Sequence, residues 1–219
     1  MSQALGLVPI VLFFFSKRKE TGFFYLLAYM LYSFLTDNAL NAIIFNVSKQ
    51  QYLGLRIFTI IEYLLLTILF IKNIRSKNIK KLITLISILF TAFAFFDIFQ
   101  SKSISFDSFP SGIESILIIL YSIYYLFEKI NEPDSIYLYN TPMFWVVVGL
   151  ILYFSGTFFL YIYGQNNMAD AAFRSTYQLV NAGFNALKLI FFSVAFLVKP
   201  PKESFPLLKP KATPGSAHL

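Results

Sequence analysis

The sequence predicts an all-α protein, a polytopic transmembrane bundle of seven helices, and three observations carry that prediction. Hydrophobic residues make up 57% of the chain and charged residues only 13%, about half the charged share of an ordinary soluble domain. Apolar runs recur at close to the ~20 residues that a helix needs to cross ~30 Å of hydrocarbon. The stretches between them are short and polar, which packs sequential helices antiparallel.

The first run, Ser2–Ser16, is the shortest. Its positive charge, "SKRKE", follows the apolar stretch, whereas a signal peptide carries it in front. That order favours an anchor with its N-terminus outside. If this segment does not span, six helices remain. The second run, Gly22–Phe45, has Ser33, Asp37 and Asn41 on one face and Asn38 turned away. The third, Tyr52–Ile71, has Arg56, Thr59, Tyr63 and Thr67 on one face and Glu62 at its edge. The fourth is Ile79–Phe99. The fifth, Ser111–Ile130, aligns Glu114, Tyr121, Tyr125 and Glu128.

The sixth, Pro142–Tyr163, carries Gly149 and Gly156 with Tyr153 between them, a stripe that reads as close helix packing. Trp145, Tyr137, Tyr139, Tyr161 and Tyr163 read as interfacial anchors. The seventh, Ala171–Val198, carries Arg174, Tyr177, Gln178, Asn181, Asn185 and Lys188 within a stripe about 100° wide.

Residues 1–198 thus form a single transmembrane domain. Residues 199–219 read as a disordered, basic, proline-containing cytoplasmic tail, whose last stretch, "ATPGSAHL", differs in composition from the body.

Lysine and arginine set the orientation. "SKRKE", "KNIRSKNIKK" and "KPPKESFPLLKPK" fall on one side, and "NVSKQQ", "QSKSISFDSFP" and "GQNNMAD" on the other. The first side is expected to be cytoplasmic, with the N-terminus outside and the C-terminus inside. The formal charge of +7 therefore reads as topology and not as a nucleic-acid footprint. The Phe/Ile/Lys/Asn-rich composition points to a bacterial cytoplasmic membrane, where the outer sequon Asn46-Val-Ser48 has no meaning.

Chemistry is narrowed by what is missing. There is no cysteine, and the one histidine, His218, lies in the tail. No nucleophile elbow, zinc-protease helix or phosphate-binding glycine loop occurs. No cofactor or metal is expected, and the protein reads as a non-enzyme.

The polar faces remain. A lysine at mid-membrane costs at least ~2.5–3.5 kcal/mol on insertion scales, so the stripe with Lys188 faces the bundle interior. One reading is interhelical hydrogen bonding at ~0.6–2 kcal/mol per contact. The other is the wall of a cavity. Counting depth from the helix ends puts Asp37, Asn41, Arg56, Glu114, Arg174, Tyr177 and Gln178 in the outer leaflet, with Glu62 and Lys188 near the centre. This predicts an outward-facing ligand pocket closed from below by a Glu62–Lys188 pair. The alternative partners for Lys188 are Asn185 and backbone carbonyls, or the inner interface reached by snorkelling. The same count puts Glu62 and Glu114 more than two turns apart, too far for joint acid–base work.

The stretch "IESILIILYSIYYLFEKINEP" followed by "TPMFWVVVGLILYFSGTFFLYIY" resembles bacterial multi-pass membrane proteins and the membrane-embedded N-terminal regions of some sensor histidine kinases. The resemblance implies a sensor module. No kinase transmitter follows Lys199, so output would pass through another protein. Seven helices with a lysine in the last also resemble the microbial rhodopsins, in which Lys188 would be the Schiff-base lysine and Glu62 its counter-ion. Phe184 and Asn185 stand where that pattern has an aspartate, and Trp145 is the lone tryptophan. Span count and orientation further resemble small transporters of the SWEET type, without their proline-glutamine signature.

The expectation is a sensor or receptor-like module that binds a small molecule in the outer pocket. The expected partners are membrane lipid and a cytoplasmic or membrane signalling protein. The partner would contact "KNIRSKNIKK" and the tail, where anionic lipid would bind the same charges. The rival is a small-solute or ion transporter using the same interior.

Overall fold

The structure, a computed structural model, describes residues 2–16, 21–43, 49–100, 108–132, 135–167 and 170–198. The side chains of Asp37, Asn41 and Tyr137 fall outside the description, as do the sequon at 46–48 and the tail at 199–219.

Among the described residues the chain is helical throughout: α1 (Ser2–Phe15), α2 (Thr21–Ile43), α3 (Lys49–Asn73), α4 (Lys77–Gln100), α5 (Ser108–Ile130), α6 (Pro142–Asn167) and α7 (Ala171–Leu197). A short 3-10 helix, Ser135–Asn140, precedes α6. Among the described residues five helices, α3 to α7, are long and apolar enough to cross a membrane, which marks the chain as a membrane protein. At ~1.5 Å per residue α1 reaches only ~21 Å, short of a ~30 Å hydrocarbon core.

Helix ends coincide with local chemistry. Pro142 occupies the first position of α6, where no backbone donor is required. Asp170 caps α7, its carboxylate accepting the Ala172 N–H at 3.0 Å. Between α3 and α4, the N–H groups of Arg75 and Ser76 donate to the Glu128 carboxylate of α5 at 2.8 and 2.9 Å.

The helices form a ring in the order α1, α2, α3, α5, α6, α7 and back to α1. α4 stands outside the ring and leans on α3. It buries a narrow row, Ile83, Ser87, Phe90 and Ala94, while Leu85, Ile88, Leu89, Phe96 and Phe99 remain exposed. An apolar surface of that extent suits lipid. Neighbours in the ring run antiparallel where the turn between them is short. Tyr32 stacks on Phe58, and Gly22 lies against Asn73. α3 and α5, separated by the excursion to α4, run parallel: Thr59 meets Ser111 and Tyr63 meets Tyr121.

α6 and α7 approach closely along the glycine stripe. A Cβ on Gly149 would lie 3.0 Å from Phe191 Cβ and 3.3 Å from the Lys188 carbonyl oxygen. One on Gly156 would overlap the Phe184 ring. The apolar core is concentrated at the end where α3 turns into α4, in residues such as Leu26, Leu66, Phe70, Val146, Val147, Phe192 and Ala195. The opposite end, where α6 turns into α7, is built differently.

Candidate functional site: a polar cavity floored by Lys188

At the α6–α7 end the ring encloses a cavity of about 100 Å³. α2 contributes Ser33 and Thr36, and α3 contributes Leu55, Phe58, Thr59 and Glu62. Ser111 and Glu114 come from α5, and Tyr153 and Tyr161 from α6. α7 supplies Tyr177, Asn181, Asn185 and Lys188. The lining passes from half-buried residues near the helix ends, such as Thr36, Leu55 and Tyr177, to buried ones at the floor. Glu62, Glu114 and Lys188 are 4%, 2% and 2% exposed.

Lys188 reaches Glu62 through an intermediary. Its Nζ donates to the Tyr29 hydroxyl at 2.6 Å, and that hydroxyl donates to Glu62 Oε1 at 2.7 Å. The ammonium also sits 3.8 Å from the centre of the Tyr153 ring and 5.1 Å from that of Tyr29. Hydrogen bonds to charged groups contribute ~1.5–3 kcal/mol each, and a desolvated cation over an aromatic face ~2 kcal/mol. Together these match or exceed the ~2.5–3.5 kcal/mol that insertion scales assign to a lysine at the centre of a membrane-spanning helix. The Tyr153 hydroxyl continues the network to the Tyr161 hydroxyl at 3.1 Å.

Of the residues expected at the pocket, Glu62, Glu114, Tyr177, Asn181, Asn185 and Lys188 line this cavity. Arg56 sits elsewhere. It is buried between α3 and α4, its guanidinium 3.4 Å from the Asp97 carboxylate. Arg174 and Gln178 are exposed. Arg174 belongs to the first turn of α7, and Gln178 to the edge of the stripe. Asp37 and Asn41 fall among the side chains outside the description.

The depth estimate that separated Glu62 from Glu114 is corrected: both line one cavity. Counting from helix ends assumes that the ends are level. Because Thr59 pairs with Ser111, each glutamate lies one turn inward of that contact on parallel helices. α3 begins about 10 Å farther out than α5 at ~1.5 Å per residue.

Tyr161, read as an interfacial anchor, lines the cavity as well. It could have been found from the row Tyr153, Thr157, Tyr161, spaced every fourth residue on α6. Tyr29 also escaped notice, although it extends the Ser33–Asp37–Asn41 face back by one turn. Among the described residues, no group of three or more His, Cys, Asp or Glu side chains is placed to hold a metal ion.

A second polar cluster occupies the junction of α3, α4 and α5. Ser87 donates its hydroxyl proton to the Ile83 carbonyl at 2.7 Å. Tyr63, 3.0 Å away, therefore donates to Ser87, and Tyr121, 3.0 Å from Tyr63, donates to Tyr63. This cluster is neutral, and none of its three members lines the cavity.

In comparisons with family models, curated proteins and solved structures, no match to this chain is found.

Proposed function

We propose that the chain is a non-enzymatic, sensor-like membrane module of seven spans in a bacterial cytoplasmic membrane, with its N-terminus outside and the short α1 accommodated by local thinning of the bilayer. In that orientation the cavity faces outward and takes a small ligand, and the α3–α4 turn faces the cytoplasm. The observation that carries this reading is the asymmetry of the ring. A polar cavity occupies one end, and a continuous apolar core occupies the other. A pocket with a sealed floor suits a receptor better than a conduit.

α5 offers a route for output. It bears Glu114 on the cavity wall, and about four turns along it bears Glu128, which holds the backbone of the α3–α4 turn. Lys129 and Arg75 meet Glu132 beside it, at 2.9 and 3.3 Å. Exposed Lys72, Lys77 and Lys81 extend this basic turn, a surface for a signalling partner or anionic lipid.

Cysteine accessibility tests the reading, and the native chain has no cysteine to interfere. In a receptor, Asn181→Cys and Asn185→Cys react with an impermeant thiol reagent from the outer face alone. Ala195→Cys, within the core, reacts from neither face. Lys188-depth positions that react from both faces would replace the receptor with a transporter.

A further inference from the structure

We infer that the cavity binds a small organic ammonium ion, with its charged head between the Glu114 carboxylate and the rings of Tyr161 and Tyr177. This rests on reading the cavity as a ligand pocket and names the chemistry it selects.

The protein already displays that chemistry once. Lys188 is a primary ammonium on an alkyl stem, and it is bound by two rings (Tyr153 and, farther off, Tyr29), one hydroxyl (Tyr29) and, through that hydroxyl, one carboxylate (Glu62). The same three kinds of group recur on the cavity wall. Tyr161 and Tyr177 lie with ring centres 6.3 Å apart and planes inclined at 60°, two sides of an aromatic corner. α5 and α6 touch at Gly112 and Ile162, which brings Glu114 to the level of Tyr161. Asn181 Oδ1 is buried and, among the described residues, has no hydrogen-bond partner, so it can accept from a donor-bearing head.

Charge points the same way. Among the described residues the lining carries two carboxylates and one ammonium. An anion would face both carboxylates and would have to draw Lys188 away from Tyr29. A cation meets opposite charge and aromatic faces. The volume of about 100 Å³ limits the ligand to a few heavy atoms beyond the head group.

The test is a thermal-shift titration of the purified full chain in lipid nanodiscs with butylamine hydrochloride, butyrate and 1-butanol. The three probes share an alkyl chain and differ in charge. Butylamine is expected to raise the midpoint saturably, and the other two are not. Glu114→Gln should weaken butylamine at least tenfold. Tyr177→Leu should weaken it severalfold, while Tyr177→Phe, which keeps the ring face, should retain it. Should Glu114→Gln fail to fold, the Tyr177 pair still decides.

The inference is overturned if butylamine gives no shift, if Glu114→Gln binds it unchanged, or if Tyr177→Leu and Tyr177→Phe behave alike. Saturable binding of butyrate or butanol instead would remove the ammonium class and leave the pocket standing. If no probe binds and Asn181→Cys is sealed from both faces, the pocket reading itself falls.

Discussion

Glu62 and Tyr63 are consecutive residues of α3, and each anchors a buried polar cluster, yet the two clusters are of different kinds. Glu62 faces into the ring and ends a donor chain that begins at the Lys188 ammonium. Tyr63, turned ~100° away, faces the junction with α4 and α5 and sits in the middle of a chain of neutral hydroxyls. The first borders a cavity, and the second is enclosed by packing. Neutral hydroxyls satisfied in sequence tie helices together at small cost. A separated charge pair held apart by a tyrosine is expensive to bury, and it persists here beside the space where it can act.

The largest effect should come from removing one charge. Lys188→Met or Glu62→Gln alone is expected to lower stability by ~3–5 kcal/mol, because the partner charge stays buried without its complement. The joint Glu62→Gln, Lys188→Met change should cost well under the sum, with a coupling energy of ~1–3 kcal/mol. Denaturation of the four proteins in mixed micelles measures this. Additive costs would mean that the two residues act separately and that the charged cluster is no more coupled than the neutral one.

Much of this contrast was legible in the sequence, and the remainder was hidden for identifiable reasons. Length and hydropathy alone place the helices, since a bilayer-crossing run leaves little freedom. The α7 stripe places Tyr177, Asn181, Asn185 and Lys188 on one wall, because helical periodicity is local. The roles of Tyr29 and Tyr153, and the partner of Asp97, are not legible in the same way. Tyrosine is common in this chain and serves at interfaces, in cores and at sites alike. Asp97 matters because α4 folds outside the ring onto α3, and that adjacency is a tertiary fact. The relative depth of Glu62 and Glu114 depends on how far parallel helices slide past one another, which no single helix records.

Tyr29 is the next probe. Tyr29→Phe keeps the ring near the ammonium and deletes both short hydrogen bonds that join Lys188 to Glu62. Hydrogen bonds to charged groups place the expected loss at ~1.5–3 kcal/mol, read by the same denaturation assay. A loss below ~0.5 kcal/mol, within the range of an ordinary surface substitution, would mean that Lys188 and Glu62 close the gap without the hydroxyl. The intermediary would then be incidental.

Tyr63→Phe tests the neutral cluster at its centre. It removes the hydroxyl that donates to Ser87 and accepts from Tyr121. Interhelical hydrogen bonds of this kind average ~0.6 kcal/mol and reach ~1.7 kcal/mol, so a loss of ~1 kcal/mol is expected. Butylamine titration of this variant should match the parent, because the hydroxyl lies away from the cavity.

Tyr121→Phe should be the mildest change. Tyr121 stands at the donating end of the chain, where its hydroxyl hands a proton to Tyr63. Without it Tyr63 still donates to Ser87, and Ser87 to the Ile83 carbonyl, so each remaining donor keeps its acceptor. The expected loss is ~0.6 kcal/mol, the mean for such bonds, because the substituted ring would still pack edge-on against Phe70 as the Tyr121 ring does. The position within the chain is what makes the prediction sharp. If Tyr121→Phe cost as much as Tyr63→Phe, the order of donors would be wrong or the hydroxyls would act cooperatively. The neutral cluster would then be a coupled network like the charged one, and the contrast between adjacent residues of α3 would lose its basis.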